Sequence, residues 1–163
     1  MNENENKYTI AQLIKRGGIF YDVPGDSKKE IMSNLIKSLH KNTLPPTKHD
    51  ALLQAVMERE ALISTGIDNG IALPHPRTPM LCEEEGPFVT IAFPSKPMEW
   101  GAPDNNPVHT LFLIVSASPK QHLNALTKIN FLCMDNNLFQ LISSRVPREQ
   151  ILLAIEETEK FWR

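Results

Sequence analysis

His75 stands between Pro74 and Pro76, at the end of the short apolar run Ile71-Ala72-Leu73. Pro74 fixes its own φ at about −65°, and Pro76 biases His75 toward extended backbone. The imidazole is therefore presented from stiff chain and loses little freedom when it binds. Near pH 7 much of an imidazole is unprotonated, and its free nitrogen can attack phosphorus with no separate base. A site of this kind needs positive charge, hydrogen-bond donors for three phosphoryl oxygens, and a partner for the other ring nitrogen. Arg59 and Arg77 are candidates for the charge, because the planar guanidinium fits phosphate in a way lysine does not. Thr65 either donates to a phosphoryl oxygen or fixes the turn it sits in. Transfer there would rest on positioning and electrostatics.

Plainer roles stand beside these. His75 could be a half-buried turn histidine bonded to backbone, Arg59 could cap the carbonyls ending its helix, and Arg77 could be a solvated surface residue. The loop Gly66-Ile67-Asp68-Asn69-Gly70 is bracketed by glycines that let bare backbone N–H groups approach a ligand. Asp68-Asn69-Gly70 lacks the spaced oxygens and closing glutamate of a calcium loop and is a turn.

The elements that must hold these residues follow from pattern. Ser27-Lys28-Lys29-Glu30 has the form of a capping box, followed by Ile31, Leu35 and Leu39 at helical spacing. Thr47 is placed to cap a helix through Leu52, Leu53, Val56 and Met57, ending near Arg59. Ser118-Pro119-Lys120-Gln121 opens another, with proline at the favoured first position, carrying Leu123, Leu126, Ile129 and Cys133. His122 falls in its first turn, where unpaired N–H groups and the dipole favour an anion. A last helix begins near Pro147 with Ile151, Ile155, Thr158 and Trp162 on one stripe. Strands are expected at Phe88–Phe93 and at Val108–Val115, the latter buried on both faces, with short extended pieces at Ile19–Tyr21 and Ile71–Leu73. Strands and helices interleave, so the class is α/β: a small mixed β-sheet sandwiched between α-helices.

The 163 residues fit one domain, expected at 8–163 after a polar, flexible tail at 1–7. A chain this long buries roughly 68–70% of its unfolded surface and needs no staple. Lys and Arg number 17 against 19 Asp and Glu, which leaves no basic footprint for nucleic acid or an anionic membrane. Two cysteines, Cys82 and Cys133, make no disulfide framework, and no His/Cys spacing suggests a metal site. No apolar run approaches the ~20 residues of a membrane span, and the acidic start is unlike a signal peptide. The expectation is a cytoplasmic protein with no cofactor, no metal and no membrane insertion. Glu83-Glu84-Glu85 reads as a solvated loop, and His40, His49 and His109 as structural.

Taken together, Arg59-Glu60, Ser64-Thr65-Gly66, Gly70-Ile71-Ala72-Leu73-Pro74-His75, Gln121-His122-Leu123 and the segment Glu99-Trp100-Gly101-Ala102-Pro103-Asp104 resemble the IIA domain of the bacterial phosphotransferase system, of the fructose/mannitol and nitrogen-regulatory type. The resemblance runs from about Ile10 to Ile155. It implies that His75 is phosphorylated on Nε2, that Arg59 sits by the phosphoryl group, and that His122 is the second active-site histidine. It implies as donor the phosphohistidine of HPr or a nitrogen-branch HPr. Downstream it implies a IIB domain in transport-type members and regulatory proteins in nitrogen-regulatory ones. With no IIB or IIC portion in the chain, the expectation is regulation or transport with separate partners, and of these the nitrogen-regulatory type. A sugar-transport IIA passing phosphate to a separate IIB, a binding module that never carries phosphate, and a small metal-dependent hydrolase using His75, His122 and a carboxylate are the rivals. The sequence departs from the family pattern at Pro76, where a glycine N–H is usual, and at Asn130-Phe131, which could alter packing behind the site.

Overall fold

Alternation along two apolar strands divides the molecule into two cores. The computed structural model describes residues 7–81 and 85–162. Residues 1–6 of the expected tail at 1–7, Cys82 and two members of the glutamate run, Glu83 and Glu84, lie outside them. Strand β3 (Phe88–Pro94) pairs antiparallel with β4 (Thr110–Val115), Phe88 opposite Val115 and Ala92 opposite Leu111. β1 (Ile19–Val23) joins the outer side of β3, and β2 (Ile71–Ala72) that of β4, both parallel, giving the order β1-β3-β4-β2. Both central strands are buried throughout, which is why they read as unbroken apolar runs.

Val89, Ile91, Phe93, Phe112 and Ile114 face one way, onto α1 (Ile10–Gly17), α4 (Pro119–Met134), α5 (Asn136–Ser143) and α6 (Arg148–Lys160). Phe88, Ala92, Leu111, Leu113 and Val115 face the other, onto α2 (Lys28–Ser38), α3 (His49–Leu62) and Trp100. The small mixed sheet between helices is as the sequence pattern predicts.

Local chemistry explains the helix starts. Ser27 Oγ accepts from the Glu30 N–H at 3.1 Å, and Ser118 Oγ from the Gln121 N–H at 3.2 Å. Glu30 and Gln121 reach back one residue beyond the cap, to the N–H groups of Asp26 and Ala117. Thr47 does not cap α3. It lies in a 3-10 turn (Pro46–Lys48), and α3 begins at His49 with no side-chain cap and runs past Arg59 to Leu62. On α4, Leu123 faces outward and the buried stripe is Ala125, Ile129 and Leu132. Helices α1 and α5, each of eight residues, escape the sequence reading because such short helices are marginal without tertiary packing.

Candidate functional site

His75 stands three residues beyond the end of β2, and His122 lies in the first turn of α4, its backbone N–H bonded to the Ser118 carbonyl at 3.0 Å. The parallel pairing of β2 with β4 brings the two regions together, since β4 leads into α4. The imidazoles face one another with centroids 4.7 Å apart and planes tilted by 47°. Both residues are partly buried.

His75 Nδ1 lies 2.7 Å from the carbonyl oxygen of Leu73. A carbonyl only accepts, so the proton of the neutral ring is on Nδ1 and the lone pair is on Nε2. Burial lowers the His75 pKa from its ordinary value, and the Arg59 charge lowers it further; the Leu73 hydrogen bond and the Glu60 carboxylate oppose this. His122 is pushed down to about 4, by burial first and then by the charges of His75 and Arg59. At neutral pH both rings are uncharged. Each can offer one lone pair and one N–H.

Arg59 closes the cationic side. Its Nη1 donates to the Ile63 carbonyl at 2.7 Å, satisfying a group near the end of α3. The helix-capping and charge-bearing roles coexist in one side chain, for a guanidinium has five N–H donors and its charge still bears on both imidazoles. Arg77 is exposed. Pro76 is buried and has no N–H to give an anion.

Thr65 is placed differently from a phosphate donor. It is buried at 6% exposure, and its hydroxyl donates to Glu60 in a very short hydrogen bond. The glycines also serve the protein rather than a ligand. The Gly66 N–H is taken by Ser64 Oγ at 3.0 Å, and a Cβ there would meet the Ala102 Cβ at 2.9 Å. Gly70, at φ +79°, leaves room for the His109 ring, 2.4 Å from where a Cβ would stand. His109 in turn contacts the Asn69 carbonyl through Nε2 at 3.1 Å. The departure at Asn130-Phe131 does not repack the site: Asn130 bonds the Leu126 carbonyl, and Phe131 is exposed, edge-on to Trp162.

A buried polar cluster beneath His75 was not read from the sequence. The Glu60 carboxylate accepts from Lys28 Nζ at 3.2 Å, Trp100 Nε1 at 3.1 Å, the Thr65 N–H at 3.3 Å and the Thr65 hydroxyl. One signal was available: Leu52, Val56 and Glu60 are four apart and are the buried residues of α3, so a carboxylate occupies a core position. Among the described residues no group of three or more His, Cys, Asp and Glu could hold a metal ion, and no helix is long and apolar enough to cross a membrane.

A family model described as the phosphoenolpyruvate-dependent sugar phosphotransferase system, EIIA 2, matches residues 12–158. The chain is 30% identical to a nitrogen regulatory protein of Escherichia coli over 169 aligned residues, 98% of this chain and 96% of the relative. With a nitrogen regulatory protein of Pseudomonas aeruginosa it shares 33% identity over 122 residues, 74% of this chain and 77% of the relative. Its fold superposes on the crystal structure of the nitrogen regulatory protein IIA-Ntr of Neisseria meningitidis with a TM-score of 0.75, at 21% identity, covering 90% of this chain and 98% of the other.

Proposed function

The chain belongs to the EIIA 2 family of the phosphoenolpyruvate-dependent sugar phosphotransferase system, and from that membership we propose that it is a phosphohistidine carrier of the nitrogen-regulatory kind, accepting a phosphoryl group on His75 from an HPr-type protein in the cytoplasm. The single observation behind the choice of atom is the 2.7 Å contact of Nδ1 with the Leu73 carbonyl, which leaves Nε2 as the nucleophile. Its lone pair attacks phosphorus. The new N–P bond forms as the donor's N–P bond breaks, and the departing electron pair returns to the donor's imidazole. The proton on Nδ1 stays against Leu73 and helps disperse the positive charge that the attack creates.

Arg59 and the ring N–H of His122 meet the phosphoryl oxygens and stabilise charge without covalent chemistry. Arg77, exposed two residues after His75, attracts an incoming phosphoprotein, and Thr65 acts indirectly, through its bonding to Glu60. The nitrogen-regulatory choice is supported by relatives of that name aligned over nearly the whole chain. Phosphorylation adds roughly two negative charges at an exposed edge, which suits a switch read by regulatory proteins; a IIB domain is the acceptor in the transport reading. Incubation with phosphoenolpyruvate, enzyme I and an HPr is expected to give an acid-labile, alkali-stable phosphate that His75→Ala abolishes. Label retained in that variant would overturn the assignment.

A further inference from the structure

We propose that Glu60 is the positioning residue for His75: through Thr65 and the Leu73 peptide its carboxylate holds the imidazole in the nucleophilic tautomer, with Lys28 as its counter-charge. The proposal rests on the reading of His75 as phosphoryl acceptor.

The connection is continuous. Glu60, its side chain 2% exposed, binds Thr65 twice, at the backbone N–H and at the hydroxyl. The Thr65 carbonyl accepts from the Leu73 N–H at 3.0 Å. The carbonyl of the same Leu73 takes the Nδ1 proton of His75. The turn between is closed by the Ile67 N–H on the Ile71 carbonyl at 2.8 Å and by a bridge from Gly66 to Ala72. Moving the carboxylate therefore moves the strand end that aims the ring. Trp100 walls the cluster: its indole donates to Glu60, its carbonyl accepts from Ser64 Oγ at 2.6 Å, and Lys28 Nζ lies 5.0 Å above its ring.

The cost of the arrangement argues for a use. Burying the Glu60 carboxylate, with Lys28 only partly buried beside it, requires its desolvation, and apolar side chains of similar volume often serve stability as well or better. Lys28 moreover occupies the first position of α2, where the helix dipole disfavours a cation. What an apolar cluster cannot supply is negative charge behind a ring that turns cationic as its nitrogen binds phosphorus. The charged or titratable groups facing His75 are Arg59 and Glu60 from α3 and His122 from α4. Glu60 alone among them favours that cation.

The test reads the ring directly, by nitrogen NMR of His75 in the unphosphorylated protein, alongside phosphoryl acceptance from HPr. In Glu60→Gln the His75 pKa is expected to fall and the Nδ1–H tautomer to lose its dominance, with acceptance at least tenfold slower at saturating donor and KM for the donor little changed. Thr65→Val, which keeps the carboxylate but cuts the hydroxyl link, is expected to perturb the tautomer as well, and Thr65→Ser to restore it. A wild-type tautomer and titration in both Glu60→Gln and Thr65→Val overturns the proposal. Should Glu60→Gln not fold, Thr65→Val with its serine rescue decides alone. Wild-type protein that takes no phosphate would overturn the carrier reading, whereas the ring measurements judge the positioning by themselves.

Discussion

The imidazole of His122 lies 4.7 Å, centroid to centroid, from that of His75, and a charge on His75 makes His122 harder to protonate. His122 stands at about 4 because burial and the charges of His75 and Arg59 all oppose a second cation there. A phosphoryl dianion on His75 reverses that field. In the phosphorylated protein the His122 pKa is expected to rise by at least one unit, followed by proton NMR titration. An unchanged value would remove His122 from contact with the phosphoryl group.

The same depression has a stability consequence. Below about pH 6.5 the unfolded chain binds a proton that folded His122 refuses, so the unfolded state carries more protons and stability falls with pH. That loss is present from about 6.5 down to about 4 and levels off below, where the folded ring also protonates. Urea midpoints across this range are expected to drop more steeply in wild type than in His122→Gln. Parallel curves would refute the linkage.

Arg59 answers for two effects that separate by substitution. Arg59→Lys keeps a charge but cannot both hold the Ile63 carbonyl and present a planar fork, so transfer is expected to slow about tenfold. Arg59→Ala removes the charge too and is expected to slow it about 100-fold, since a single preorganised donor is worth that order. The His75 and His122 pKa values are then expected to rise, because Arg59 lowers both. Stopped-flow transfer and NMR titration read the two effects independently.

Glu159 offers a control whose hydrogen bonds reach neither histidine. Its carboxylate, on α6, takes the Ile10 and Ala11 N–H groups at 2.9 and 2.8 Å, while Thr9 and Gln12 satisfy each other in a capping box. All the first-turn donors of α1 are thereby met. Glu159→Ala strands two buried N–H groups and is expected to cost about 2–3 kcal/mol of unfolding free energy, with phosphoryl acceptance unchanged. A loss within measurement error would show that water replaces the carboxylate.

The amino-acid order alone carried the local facts. Runs of β-formers at 88–93 and 108–115 mark the two buried strands, the second beginning only at Thr110 in the fold, Ser27 and Ser118 mark two helix starts, and the Pro-flanked histidine marks the stiff segment, because turn chemistry and periodicity act over a few residues. Glu60 carries no role of its own within the Arg59-Glu60 motif, and Thr65 stands open in the sequence between a phosphate donor and a residue that fixes its turn. Which group its hydroxyl would meet depends on Glu60 and Trp100, one five residues away in the chain and the other thirty-five. Distance in space is set by sheet order, and the parallel register of β2 on β4 is what carries His75 to the start of α4. No periodicity encodes that encounter: it is decided when the two cores close on opposite faces of the sheet and bring the carboxylate, the threonine and the indole within hydrogen-bond reach.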